Sequence, residues 1–229
     1  SKINLGRLVD RSPSTVTKWE NGSHSPDAEV LALLGQVLNC PIGWFTKPAF
    51  KKENNPVFFR TLASTAKDLC TSSERYMELL QEGCSFLQES LDLPVVNIPF
   101  LEVDDYRAID DELIEVMASK CREQWGLGIS PVKDLLLSIE NAGVICSRFE
   151  QGSAVMDGYS QWNEEEARPY IILATDKDNY YRSRFDAAHE LGHIVLHRFV
   201  KRLDLINFKP IEEQANKFAA CFMLPEESF

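Results

Sequence analysis

The sequence predicts an α+β chain: an all-α N-terminal domain, a helical spacer, and a C-terminal domain in which helices pack with a small sheet. Three observations predict it. Closely spaced helix starts crowd into the first 41 residues, an apolar repeat at three- and four-residue steps runs over residues 60–91, and two short β-type runs, residues 144–149 and 170–174, interrupt a largely helical second half.

Taken in order, residues 4–10 read as a short helix. Ser12 then supplies an N-cap and Pro13 the first helical position of a second helix, which runs to Glu20 and ends at Asn21-Gly22. A third start at Ser25-Pro26-Asp27 leads into Val30, Leu31, Leu33, Leu34, Val37 and Leu38, one apolar helical face that Asn39-Cys40-Pro41 terminates. Over residues 60–91, Leu62, Leu69, Tyr76, Leu79, Leu80, Phe86 and Leu87 mark a long amphipathic helix. A helix is expected around residues 105–125 and another from a Ser130-Pro131 cap through Asn141, with Gly143 as its exit. Asp157-Gly158 reads as a turn between the two β-type runs. The expected domains are therefore residues 1–48, 49–104 and 105–229.

The formal net charge of -11 argues against nucleic-acid binding by the whole chain, because a DNA-binding surface must offset a row of phosphates. The charge is uneven. Residues 1–48 carry Lys2, Arg7, Arg11, Lys18 and Lys47 against Asp10, Glu20, Asp27 and Glu29, a balance of +1 that leaves -12 elsewhere. Any DNA contact therefore belongs at the N-terminus. The six cysteines form no CxxC pair, no secretory leader is evident, and no apolar run approaches the roughly 18 residues of a membrane span, so a cytoplasmic protein with no membrane contact is expected. The acidic spacer leaves a homodimer among the expected assemblies.

A helix that reads the major groove needs short polar side chains at its start, an apolar anchor inside and cations near phosphates. Residues 12–20 have all three. Val16 and Trp19 face a core, whereas Pro13, Ser14, Thr17 and Lys18 lie on the opposite arc, with Asn21 and Ser23 placed for phosphate contacts. Leu5-Gly6-Arg7-Leu8, Ser14-Thr15-Val16-Thr17-Lys18-Trp19-Glu20-Asn21-Gly22 and Pro26 resemble an Xre-type helix-turn-helix domain whose first helix would precede residue 4. The alternative is a helical interaction module without DNA binding.

The second cluster is His189-Glu190-Leu191-Gly192-His193. Residues four apart share a helix face, so His189 and His193 can aim ring nitrogens at one zinc ion while Glu190 serves as general base. Gly192 is expected to keep the surface between them uncrowded. A catalytic zinc commonly has three protein ligands, and two glutamates compete for the third place. Glu212 shares a helix face with Ala215, Ala219 and Phe222 and is expected to point inward; Glu213, sharing its face with Lys217, is the alternative. His197 lies a turn further on and is expected at a surface or substrate-side position. Phe199 stands where the metzincin pattern needs a histidine.

The run Arg182-Ser183-Arg184-Phe185-Asp186-Ala187-Ala188-His189-Glu190-Leu191-Gly192-His193, ending Val195-Leu196-His197, resembles the ImmA/IrrE zinc metallopeptidases. Trp125-Gly126-Leu127-Gly128 with Pro131, Asn141-Ala142-Gly143-Val144, Asp157-Gly158-Tyr159-Ser160 and the stretch from Glu212 to Leu224-Pro225 follow in that family's order. The resemblance implies a zincin-like fold continuing past residue 229, zinc on His189, His193 and Glu212, and Glu190 as base. It also implies a regulator that cleaves a repressor-type protein, with a non-catalytic sensor as the alternative.

Overall fold

The structure, a computed structural model, describes residues 1–48, 57–59, 67–150, 152, 156–176, 179–200 and 208–228. The chain divides into two compact units, Ser1–Lys51 and Lys52–Phe229. The helix expected as a spacer thus belongs to the second unit.

In the first unit, α1 (Lys2–Leu8) is set two residues earlier than expected, because Asp10 adopts a left-handed φ of 49° and the helix stops before it. α2 (Pro13–Glu20) starts as the sequence predicts: Ser12 Oγ accepts from the Thr15 amide at 3.2 Å and proline stands at the first position. α3 (Ala28–Leu38) is capped by Asp27, whose carboxylate accepts from the Val30 amide at 2.8 Å, and it ends on Asn39 in the left-handed region. Val9, Val30 and Leu34 form the buried core, with Leu5, Trp19, Leu31, Leu33 and Phe45 packed around them. Leu38, expected on that face, is exposed.

The second unit contains a four-stranded sheet of order β1-β3-β4-β2, made of β1 (Phe58–Phe59), β2 (Ile145–Phe149), β3 (Gly158–Asn163) and β4 (Arg168–Ala174). β3 pairs antiparallel with β4 and with β1, and β2 pairs parallel with β4. Two of these strands match the expected runs. β3 does not, since Asp157-Gly158 opens a strand instead of making a turn. Its Ser160, Gln161 and Asn163 break the apolar alternation, yet they are buried, and polar groups tolerate that position only when paired. The Gln161 carbonyl accepts from Gln81 Nε2 at 2.9 Å.

Alternation along the strands sorts side chains onto the two faces of the sheet. Tyr159, Tyr170 and Ile172 pack with Met77 and Met156 on one face, the one covered by α4 (Lys67–Gln88). Residues 60–66, the start of the helix expected there, lie outside the described residues. Trp162, Ile171 and Leu173 join the main core on the other face, with Leu191, Val195 and Leu196 of α7 (Tyr180–His197). α8 (Phe208–Met223) packs against α7 and against α5 (Asp111–Gln124), burying Phe218, Ala219 and Phe222.

α6 (Leu135–Asn141) begins later than the Ser130-Pro131 signal, with Asp134 as its cap. The carbonyls of Gly128, Ser130, Val132 and Lys133 instead accept from Arg122 and Arg184 side chains, which hold that stretch out of a helix. Likewise α5 is capped by Asp110, and only a short 3-10 turn, Tyr106–Ala108, precedes it. Gly143 follows α6 at φ +90°, where a Cβ would lie 2.6 Å from Val96 Cα. All six cysteines are free, and among the described residues no helix is long and apolar enough to cross a membrane.

Candidate metal centre

α7 carries the HExxH run in its second half, and residues Asp186 through His197 are all buried. Asn179 caps the helix through its bond to the Arg182 amide. The helical repeat puts His189 and His193 on one side, where their Nε2 atoms stand 3.0 Å apart. Glu212, in the first turns of α8, reaches both: Oε2 is 3.3 Å from His189 Nε2 and Oε1 is 3.2 Å from His193 Nε2. One ligand atom from each of the three residues lies within 4.8 Å of the others. Glu213 faces away, exposed and 3.6 Å from Lys209 Nζ. Glu212, the glutamate that helical phase turns inward, is thus the one that lies beside both histidines.

The surrounding hydrogen bonds fix what these atoms offer. The Gln214 amide nitrogen donates to the carbonyls of Tyr106 and Ile109 at 2.8 and 2.7 Å, so its oxygen must be the atom 3.0 Å from His197 Nε2. His197 Nε2 therefore donates. Burial, reinforced by the neighbouring His193, pushes the His197 pKa down to about 3, so the ring is neutral and its Nδ1 carries a lone pair. His193 Nδ1, 3.1 Å away, must then be the donor, which leaves His193 Nε2 as a lone pair aimed at Glu212. Asn216 Oδ1 accepts from His189 Nδ1 at 3.0 Å and sets the same tautomer there.

Two imidazole lone pairs and a carboxylate thus converge, and Glu212 Oε1 is buried without a hydrogen-bond donor among the described residues. Burial opposes the charged form of Glu212, but its side-chain contacts with His189 and His193 outweigh that and hold the carboxyl at about 2. Donors about 2.0–2.1 Å from a tetrahedral zinc lie roughly 3.3 Å from one another, so the three separations fit one face of such a site. Nitrogen and oxygen donors of this kind suit zinc.

Glu190 is fully buried, and Ser160 Oγ donates to its Oε2 at 2.7 Å. Gly158, two residues earlier on the same face of β3, leaves the space its carboxylate uses: a Cβ there would lie 3.2 Å from Oε1. β3 therefore positions the expected base. Gly192 has a different role from the one expected. A Cβ on it would meet Phe218 Cδ1 at 3.1 Å and the Ala215 carbonyl at 3.2 Å, so it admits α8 close against α7.

His197 is also corrected. It is wholly buried between His193 and Gln214, behind the proposed ligands and away from any surface. Ser160 and Gln214 stood in the quoted stretches without an assigned role, and the orienting role of His197 was missed, since no local pattern links them to the helix they serve. Asn216 stood in the quoted α8 stretch without an assigned role.

In the first unit Pro13, Ser14, Thr17, Lys18 and Asn21 are all exposed along α2, while Val16 is buried and Trp19 half-buried. Thr17 Oγ1 donates to the Pro13 carbonyl, and Asn21 Oδ1 accepts from the Ser23 amide and hydroxyl.

Comparison with known families agrees with this division. A helix-turn-helix family model matches residues 3–45, and a peptidase-family model described as the IrrE N-terminal-like domain matches residues 140–229, which include His189, Glu190, His193 and Glu212. No curated protein matches the chain. The chain joins an N-terminal helix-turn-helix domain of Xre type to a C-terminal IrrE N-terminal-like domain.

Proposed function

We propose that the second unit is a zinc endopeptidase and that the helix-turn-helix unit ties it to DNA, so that the chain is a transcriptional regulator which cleaves a repressor-type protein. The observation that carries the reading is the convergence of His189 Nε2, His193 Nε2 and the Glu212 carboxylate, all with lone pairs inward, one residue along α7 from a buried glutamate.

His189, His193 and Glu212 would hold the ion. Zinc supplies Lewis-acid polarisation of a peptide carbonyl and makes water acidic enough to react near neutral pH. Glu190 takes the proton from the attacking water and delivers it to the departing nitrogen, so one water is consumed, the C–N bond breaks, and a carboxyl and an amine form. Ser160 donates to one oxygen of Glu190 and so orients the carboxylate for that transfer. At the first unit, Pro13, Ser14, Thr17, Lys18 and Asn21 present the surface that would meet base edges and phosphates.

The test is metal analysis with cleavage kinetics on the full chain and a candidate repressor protein. Wild type and Glu190→Gln should each carry one zinc, while the substitution lowers the cleavage rate by about 10²–10⁴-fold, the range supplied by a positioned general base. Cleavage that survives Glu190→Gln, or purified protein without zinc, would sink the catalytic reading; stoichiometric zinc with no cleavage of any protein would favour a sensor.

A further inference from the structure

β1 is two residues long, and it lies on the outer edge of β3, Phe58 opposite Ser160 and Phe59 opposite Tyr159. Directly opposed residues point to the same face of a sheet. Phe58 therefore shares the face of Ser160, whose hydroxyl holds Glu190. Its ring stacks on His193 with centroids 5.1 Å apart and planes 11° from parallel, and it meets His197 at 6.1 Å. The side chain is only 4% exposed. Val57, on the alternate face, packs against the core built around Met77 and Tyr159. A three-residue segment thus places an aliphatic side chain in one core and an aromatic ring against a proposed zinc ligand.

Without this segment β3 would be an open edge, a row of unpaired N–H and C=O groups running past the proposed base. Such an edge binds extended peptide by strand addition: the main chain supplies affinity and alternate side chains supply selectivity. We propose that the outer edge of β3 is the peptide-binding site of the second unit, and that residues 57–59 occupy it in cis and hold the unit in a self-inhibited state. This rests on the peptidase reading above. The substrate class follows from the occupant: an extended, antiparallel segment with a large apolar side chain over His193 and a neighbouring aliphatic one on the other face. A tethered strand competes at an effective concentration on the order of millimolar, so a free peptide of equal intrinsic affinity binds poorly while Phe58 is in place.

The experiment titrates a fluorescein-labelled peptide of residues 55–62, Asn-Pro-Val-Phe-Phe-Arg-Thr-Leu, into chelator-treated full chain and reads anisotropy. Phe58→Ala should bind it at least tenfold tighter than wild type, and Phe58→Leu should fall between. Phe58→Leu keeps a large apolar side chain and carries the comparison if Phe58→Ala does not fold. Equal affinity in the folded variants and wild type, or no binding by either variant, overturns the proposal. The readout needs neither zinc nor hydrolysis, so a failure of the peptidase reading would appear in metal content and cleavage and leave this contrast intact.

Discussion

The carbonyls of Tyr106 and Ile109 orient Gln214, Gln214 orients His197, and His197 decides which nitrogen of His193 carries a proton. Groups that orient a metal-binding imidazole typically contribute 10–100-fold to metal affinity. His197→Leu, which fills similar space without a ring nitrogen, should therefore weaken zinc binding by about 10–100-fold while leaving one zinc site. Competition against a chromophoric chelator measures this, and unchanged affinity would show that packing alone orients His193. This relay could not be read from the sequence. The sequence offers His197 only as a third histidine at a four-residue step, and the partner that explains it lies 17 positions further on, on another helix.

Among the elements, the α7–α8 contact holds the two halves of the proposed site together, and Gly192 sits at its closest point. Gly192→Ala introduces a Cβ 3.1 Å from the Phe218 ring and 3.2 Å from the Ala215 carbonyl, tighter than ordinary contact. Overpacking of this kind costs about 1–3 kcal/mol, despite the gain in helix propensity. Each kcal/mol lowers Tm by roughly 2–4 °C in a unit of this size. Thermal melts should therefore show a clear loss for Gly192→Ala and none for Gly83→Ala on α4, where a Cβ meets nothing within 4 Å. Equal melts for the two would mean that α8 adjusts its position without cost. The helices themselves were legible because their caps and apolar repeats are local, as Ser12, Asp27 and the HExxH spacing illustrate. β3 was not, because Ser160 and Gln161 look like surface residues until Glu190 and Gln81 are brought against them.

For the whole molecule, charge distinguishes the two units. Residues 1–48 sum to +1 and the rest of the chain to -12, so any DNA affinity must come from a small number of cations in the first unit. Lys18 is exposed on α2 beside Ser14 and Thr17. If it meets a phosphate, Lys18→Ala should weaken binding of the full chain to duplex DNA and reduce the slope of log affinity against log salt by about one. Anisotropy titrations across a salt series give both quantities. An unchanged slope would remove Lys18 from the interface, and binding that ignores salt altogether would argue for a helix-turn-helix unit that contacts protein.

By itself the sequence determined the features set by short spacing: three helices near the start, two of them with legible caps, two histidines and a glutamate on one helix, and, through helical phase, the inward side of Glu212 over Glu213. These follow from the geometry of single helices, which depends on neighbours a few residues apart. Only the tertiary structure decided what surrounds them. It set Ser160 against Glu190, buried His197 behind His193, pressed α8 onto Gly192 and laid Phe58 along β3. Each of these joins residues distant in the chain, and their pairing follows from which buried polar groups and apolar faces the packed core leaves to be satisfied.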